Sequence, residues 1–327
     1  MAAAAGALRF NTDSQKLELF DGNQWTEIVA SSPDSQTGGA RGLFGGGYTP
    51  TQVNILDYIT ISTTGNALDF GDLSEVTQSI SACASSTRGL WGGGKQEPSI
   101  NSNTIDFVTI SSTGNSQDFG DLTVARRGTA AVSNATRGVW AGGRTPTSQN
   151  VMDYITIAST GNAQDFGDLS RANGLINPLP AQSSTRGIFA GGYSPQTNVI
   201  DFITISTQGN SADFGDLTVA RSTGGGCSNA VRGIFGGGSS GNVIDFITIA
   251  TLGNATDFGD LLSPSSQISA CSSSTRGVWA GGYVAPTATN NINYVTIMST
   301  GNAIDFGDLT VARIMRNAGC SNGHGGL

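Results

Sequence analysis

Charge is scarce in this chain. Only 12% of its 327 residues are Asp, Glu, Lys or Arg, so the surface is left to Ser, Thr, Asn and Gln. Histidine is nearly missing: His324 is the single copy, three residues from the end. A Ser-His-Asp triad would have to rest on that tail residue, and copper or zinc oxidase chemistry would lack its several His or Cys ligands. The 4 cysteines contain no Cys-x-x-Cys pair, which argues against a zinc site. No apolar run is long enough for a membrane helix, so no membrane insertion is expected. The start, Met1-Ala2-Ala3-Ala4-Ala5-Gly6, has no charged n-region or apolar core, and no signal peptide is expected. With 24 acidic against 16 basic residues, a formal charge of −8 and no basic patch, nucleic acid is not expected as a partner. Helical periodicity is missing too; apolar residues alternate, as in Ile155-Thr156-Ile157.

What is present is a repeat. Its clearest copy reads Arg137-Gly138-Val139-Trp140-Ala141-Gly142-Gly143, then a polar loop, then Val151-Met152-Asp153-Tyr154-Ile155-Thr156-Ile157, and finally Gln164-Asp165-Phe166-Gly167-Asp168-Leu169. The opening Arg-Gly recurs at Arg41, Arg88, Arg137, Arg186, Arg232 and Arg276, at intervals of 44 to 49 residues. A period of this size means a propeller, a solenoid or an array, and the strand-like alternation favours a β-propeller. The 47 glycines recur in register, so they read as turns rather than as disorder.

Four strands are expected per unit. The first and innermost is small and alternating, as in Ile80-Ser81-Ala82-Cys83 and Thr129-Ala130-Ala131-Val132. Arg-Gly to Gly-Gly is the second, Asp-Tyr/Phe-Ile-Thr-Ile the third and Asp-Phe-Gly-Asp-Leu the fourth. Cys83, Cys227, Cys271 and Cys320 fall at equivalent first-strand places and read as buried, reduced small residues. The Gly-Gly ending the second strand and the aromatics of the third and fourth resemble a kelch-type blade. Phe stands in the fourth strand where kelch repeats usually hold Trp. Six copies of strands two to four are present, and Asn317-Ala318-Gly319-Cys320-Ser321-Asn322 supplies the first strand that the opening unit lacks. A six-bladed β-propeller closed by its C-terminal strand is therefore expected over residues 40–327.

The first thirty residues differ. Leu8-Arg9-Phe10-Asn11, Lys16-Leu17-Glu18-Leu19-Phe20 and Gln24-Trp25-Thr26-Glu27-Ile28 read as three short strands. Such a segment cannot bury Phe10, Leu17, Leu19, Trp25 and Ile28 within itself, so it should dock on something. The stretch ALRFNTDSQKLELFDGNQWTEI, residues 7–28, resembles a short N-terminal element of tail fibres and other structural proteins of tailed bacteriophages. Residues 1–31 are read as an attachment and oligomerisation element and residues 32–39 as a linker.

Each Asp-Phe-Gly-Asp carries two carboxylates, such as Asp165 and Asp168, which make up 12 of the 24 acidic residues. Six copies favour a structural role over catalysis or calcium binding: turn hydrogen bonds, and an Asp–Arg pair with the repeated arginine. The Asp-x-Asp-x-Asp-Gly spacing of calcium loops is missing. No metal and no cofactor is expected, and the chain is not read as an enzyme.

In an up-and-down blade the near-constant turns share one face and the variable loops the other. Loops with variable sequence on a rigid scaffold are where binding residues belong. Of the 24 aromatics, eighteen occupy three repeated strand positions and are expected in the core. Tyr48, Tyr193 and Tyr283 follow a Gly-Gly on the variable face; Lys95 and Arg144 take that place in two other units. These five residues are the candidate binding set, on a broad shallow surface rather than in one pocket. The tyrosines would either contact a sugar or protein partner or pack on Pro50, Pro195 and Pro286.

The resemblance implies a virion structural or adhesion protein: tail fibre, baseplate or head decoration, assembled in the host cytoplasm. The N-terminal element would hold other virion subunits as a homo-oligomer, with a trimer expected, and the propeller would face a host-surface glycan or protein. The alternatives are a non-viral kelch-like interaction scaffold and a propeller-fold hydrolase or oxidase.

Overall fold

The computed structural model describes residues 4, 6–11, 16–27, 39–171, 177–193, 195–239, 241–316 and 318–327. Among them every regular element is a β-strand. The chain divides into two compact units, Met1–Thr37 and Gly38–Leu327.

The first unit is a three-stranded antiparallel sheet of Leu8–Asn11, Lys16–Phe20 and Trp25–Glu27. Its register opposes Leu8 to Leu19 and Phe10 to Leu17. Leu8 and Leu19 stay exposed, at 60% and 36%. Trp25, of the expected docking set, opens the third strand. It pairs with Phe20 on the other face, where the Arg9 guanidinium lies 4.2 Å from its ring centre and also bonds Glu18 at 2.7 Å. Its ring is thus covered within the unit. Ile28 and residues 32–38 of the expected linker lie outside the described residues.

The second unit holds six four-stranded antiparallel sheets among the described residues, an arrangement consistent with a propeller. Sheet 1 takes its first strand, Gly319–Ser321, from the C-terminus and continues with Arg41–Tyr48, Gln52–Thr60 and Leu68–Thr77. Sheets 2 to 6 are continuous in sequence; their first strands begin at Ser81, Ala130, Leu179, Gly225 and Ser269. In sheet 3 the strands Ala130–Ser133, Arg137–Ala141, Val151–Thr156 and Gln164–Asp168 pair in order.

The Asp-Phe-Gly-Asp motif is a bulged outer strand. Met152 opposes Gly167 and Asp153 opposes Asp165, so Phe166 has no partner and turns inward. The same shift occurs at the equivalent place in all six sheets. Gly167, at φ 136°, is needed twice over: a Cβ there would lie 2.6 Å from the Gly209 carbonyl of sheet 4. That Gly209 N–H donates to the Phe166 carbonyl at 2.8 Å, and Asn210 Oδ1 accepts from Asp168 N–H at 3.0 Å. Each sheet grips the next in this way. Sheet 6 grips sheet 1: Gly65 N–H donates to the Phe306 carbonyl at 2.8 Å and Asn66 Oδ1 accepts from Asp308 N–H at 3.1 Å.

The repeated arginines do not pair with these carboxylates, contrary to expectation. Each Arg-Gly guanidinium lies over the third-strand ring of its own sheet, from 4.4 Å for Arg137 on Tyr154 to 5.0 Å for Arg41 on Tyr58. It also donates to a carbonyl of the following sheet, as Arg137 does to Ile205 at 3.0 Å and Arg276 to Ile61 at 3.0 Å. A flat, weakly hydrated guanidinium is suited to both tasks at once. The third-strand aromatics are consequently partly buried under arginine rather than lodged in the core. The second-strand and fourth-strand aromatics, such as Trp140 and Phe166, are buried as expected.

The ion pairs use the third-strand aspartates instead. Arg126–Asp153, Arg221–Asp245 and Arg313–Asp57 are buried pairs at 2.6, 2.8 and 2.9 Å. A hydroxyl from the preceding sheet completes each carboxylate, as Thr123 does for Asp153 and Thr310 for Asp57. Ser74 and Ser170 do the same for Asp106 and Asp201. Between sheets 5 and 6, Leu262 stands where the hydroxyl would be, and there Asn293 replaces the Asp.

A second correlation joins neighbouring sheets. The residue after each second-strand aromatic is Gly where the next sheet presents Trp, and Ala where it presents Phe. Gly45, Gly92 and Gly236 face Trp91, Trp140 and Trp279; Ala141, Ala190 and Ala280 precede sheets with Phe189, Phe235 and Phe44. A Cβ on Gly92 would sit 2.7 Å from Trp140 Nε1. Volume is thus conserved at each junction, including the one from sheet 6 to sheet 1.

Candidate functional site

Between the sheets, at the end carrying the variable loops, lies a cavity of about 520 Å³. Its floor is built from the residue two places before the first strands of sheets 2 to 6, Ser79, Gly128, Asn177, Thr223 and Gln267, and from Arg316, three places before Gly319. The first five have φ of 57°, 67°, 50°, 62° and 56°. Four of them are not glycine, and Thr223 is β-branched, so backbone strain is concentrated here. Their main chains join hand to hand. Gly128 N–H donates to Ser79, Asn177 to Gly128, Thr223 to Asn177 and Gln267 to Thr223, at 2.6 to 3.2 Å. Arg316 fills the remaining span: its Nε donates to Gln267 Oε1 at 2.9 Å and its Nη1 to Ser79 Oγ at 2.9 Å.

Arg127 and Arg144 add two further guanidinium groups. Their backbones pair with each other, Arg127 Nη1 donates to Asn101 Oδ1 at 3.2 Å, and Arg144 Nε donates to the Pro146 carbonyl at 3.3 Å. Burial and the charge of Arg127 hold the Arg316 guanidinium below its ordinary value. Asn177 is only 6% exposed, and its Oδ1 has no hydrogen-bond partner. Tyr193, 56% exposed, stands at the rim with Gln196.

The five candidate binding residues separate here. Arg144 and Tyr193 line the cavity; Tyr48, Lys95 and Tyr283 do not. The backbones of those three bridge to Ile314, Gln78 and Ser266, so the place after Gly-Gly is a strut between adjacent sheets. Some loops there carry further strand pairing. Tyr48 pairs with Gln52 within sheet 1, and Lys95–Gln96 with Ile100–Asn101 and Tyr283–Val284 with Thr287–Ala288 form small hairpins. This end thus carries a cavity that two of the five candidate residues line. Arg127, Arg316, Asn177 and Thr223 escaped the sequence reading because they flank the first strand, which draws notice for its small residues. Aligning the position before that strand across all six units would have found them.

The opposite end is closed by the C-terminus. His324 Nε2 donates to the Ala84 carbonyl at 2.8 Å and Nδ1 accepts from Gly326 N–H at 3.0 Å. Burial pushes its pKa down to about 4. Gly325 N–H reaches the Ser228 carbonyl at 2.9 Å. Cys83, Cys227, Cys271 and Cys320 surround a cleft of about 30 Å³ beside it; all four are unpaired and buried. Burial raises their thiols, Cys227 to about 12, which makes them unreactive. Among the described residues no group of three or more His, Cys, Asp or Glu is placed to hold a metal ion. No protein-family model and no curated protein matches the chain.

Proposed function

We propose that the second unit is a closed, six-bladed, kelch-like β-propeller, and that the chain is a structural and adhesion component of a tailed-phage virion. Closure is supported by the bonds from sheet 6 to sheet 1 and by the C-terminal strand that pairs Gly319 with Phe44. The attachment reading rests above all on one observation. A separate three-stranded unit carries opposed, exposed leucines at Leu8 and Leu19. So small a sheet lacks the apolar burial to be stable alone, and a partner surface would complete it. The partner is another virion subunit or further copies of the same element, a trimer being the expected number. The propeller then turns its variable loops toward a host-surface glycan or protein.

Deleting residues 1–31 tests this. The remaining propeller should stay folded and monomeric and lose co-sedimentation with assembled particles. Retained incorporation of the truncated protein, seen by electron microscopy, would remove the anchor role.

A further inference from the structure

Most of the 16 basic residues of this acidic chain are occupied with structure. Six arginines cover rings and three form buried ion pairs with aspartate. Arg127, Arg144 and Arg316 have no such duty, and all three converge on the variable-end cavity. Among the described residues none of them forms an ion pair and no carboxylate lines the cavity. The charges of Arg127 and Arg316 oppose each other, at a cost that an anion would remove.

The rest of the lining restricts what that anion is attached to. Among the described residues it consists of Ser, Thr, Asn, Gln, Gly and Tyr, with no aliphatic residue. An apolar ligand, or a peptide anchored by apolar side chains, would find no place for them. Hydroxyl-rich ligands would find many partners. The floor carbonyls of Ser79, Gly128, Asn177 and Thr223 are already used within the ring. What remains on offer is guanidinium N–H, side-chain hydroxyls and amides, and the unpartnered, buried Asn177 Oδ1. An unsatisfied buried acceptor is costly unless something donates to it. The exposed Tyr193 ring offers a flat face at the rim. A volume of about 520 Å³ lies within the range of small-ligand sites.

We propose that this cavity binds an acidic sugar residue: a carboxylate against Arg127, Arg144 and Arg316, hydroxyls on Asn177 and the Ser and Thr side chains, and the ring beside Tyr193. The sugar's role as a unit of a host-surface glycan rests on the function proposed above; its binding to the soluble protein does not.

Calorimetric titration of the full-length protein at low and high salt decides the matter, with glucuronate, glucose, inorganic phosphate and a hexaglutamate peptide as probes. Glucuronate should bind at least tenfold more tightly than glucose and more tightly than phosphate or peptide. The affinity should fall as salt rises. Arg144→Gln, whose side chain is exposed, and Asn177→Asp should each weaken it tenfold or more, while Lys95→Gln, outside the cavity, should leave it unchanged. Arg316→Gln removes a floor contact and is informative only if its thermal unfolding matches the parent. Equal binding of glucose and glucuronate, or no binding of either, overturns the proposal. Phosphate binding as tight as glucuronate means a general anion site, and a preference for the peptide means a protein-docking site; either overturns it too. Particle incorporation is read separately. A chain that joins particles but ignores uronate sinks only this inference, and one that binds uronate but joins no particle sinks only the virion role.

Discussion

A residue that recurs six times is visible in the sequence, but its partner is not. The repeated Arg and the repeated Asp both sit in every unit, and proximity in sequence suggested that they pair. Neither takes the other: the buried ion pairs use third-strand aspartates and run between units, as Arg313 meets Asp57 across 256 positions. Only three units carry Thr-Val-Ala-Arg, and those three ion pairs fall at alternate junctions, so strict sixfold reasoning passes over them. His324 shows the same limit. Its place near the end argued against catalysis, yet nothing local indicated that it would be 5% exposed and hydrogen-bonded to a carbonyl 240 positions away. The consequence is a pH dependence with a definite sign. Above pH 6.5 His324 is neutral in both states, and the native state has full stability. As pH falls from 6.5 toward about 4, the unfolded chain takes up a proton that the native chain refuses, so stability drops. The loss should reach about 3 kcal/mol and then level off. Urea midpoints measured from pH 7 to pH 4 for the parent and for His324→Asn check this. The variant should lack that part of the slope. Parallel curves would mean that His324 does not sense acid.

At the scale of elements, the strands were legible because alternation, Arg-Gly and Gly-Gly punctuate them so regularly. The bulge in the outer strand was not, since nothing in Asp-Phe-Gly-Asp says that Phe166 would be skipped in the register. The packing between strands of adjacent sheets was written in the sequence, but only for a reader who compares each unit with the next. Gly precedes a sheet with Trp and Ala precedes one with Phe at every junction. This rule predicts a non-additive pair. Phe189→Trp alone would press an indole onto the Ala141 Cβ and cost about 1–3 kcal/mol. Ala141→Gly alone would cost about 0.5–1 kcal/mol through chain freedom. Together they rebuild the junction that Gly92 makes with Trp140, and the double variant should be more stable than Phe189→Trp alone. Thermal unfolding of the three variants provides the comparison. Simple additivity would show that the six-for-six pattern reflects something other than volume.

For the whole molecule, the question is whether the C-terminal strand is a clasp or an ornament. Gly319–Ser321 covers the edge of Arg41–Tyr48, and the Ala318 carbonyl accepts the Trp91 Nε1 hydrogen at 3.0 Å. An uncovered strand edge in the middle of a sheet array invites pairing with other chains. The tail beyond it makes different contacts, through His324 and Gly325, at the constant-turn end. Two truncations therefore separate the roles. Removing 323–327 should keep all six sheets and lower the melting temperature by a few degrees. Removing 316–327 takes away the strand, the Trp91 acceptor and the Arg316 link from Gln267 to Ser79 together. That protein should unfold over a broad range or aggregate, as judged by calorimetry and light scattering. A sharp, unshifted transition in the longer truncation would mean that sheets 6 and 1 hold together through the Phe306, Asp308 and Arg276 contacts alone. The proposed closure would then rest on the grip of each turn on its neighbour, and the C-terminal strand would be dispensable to it.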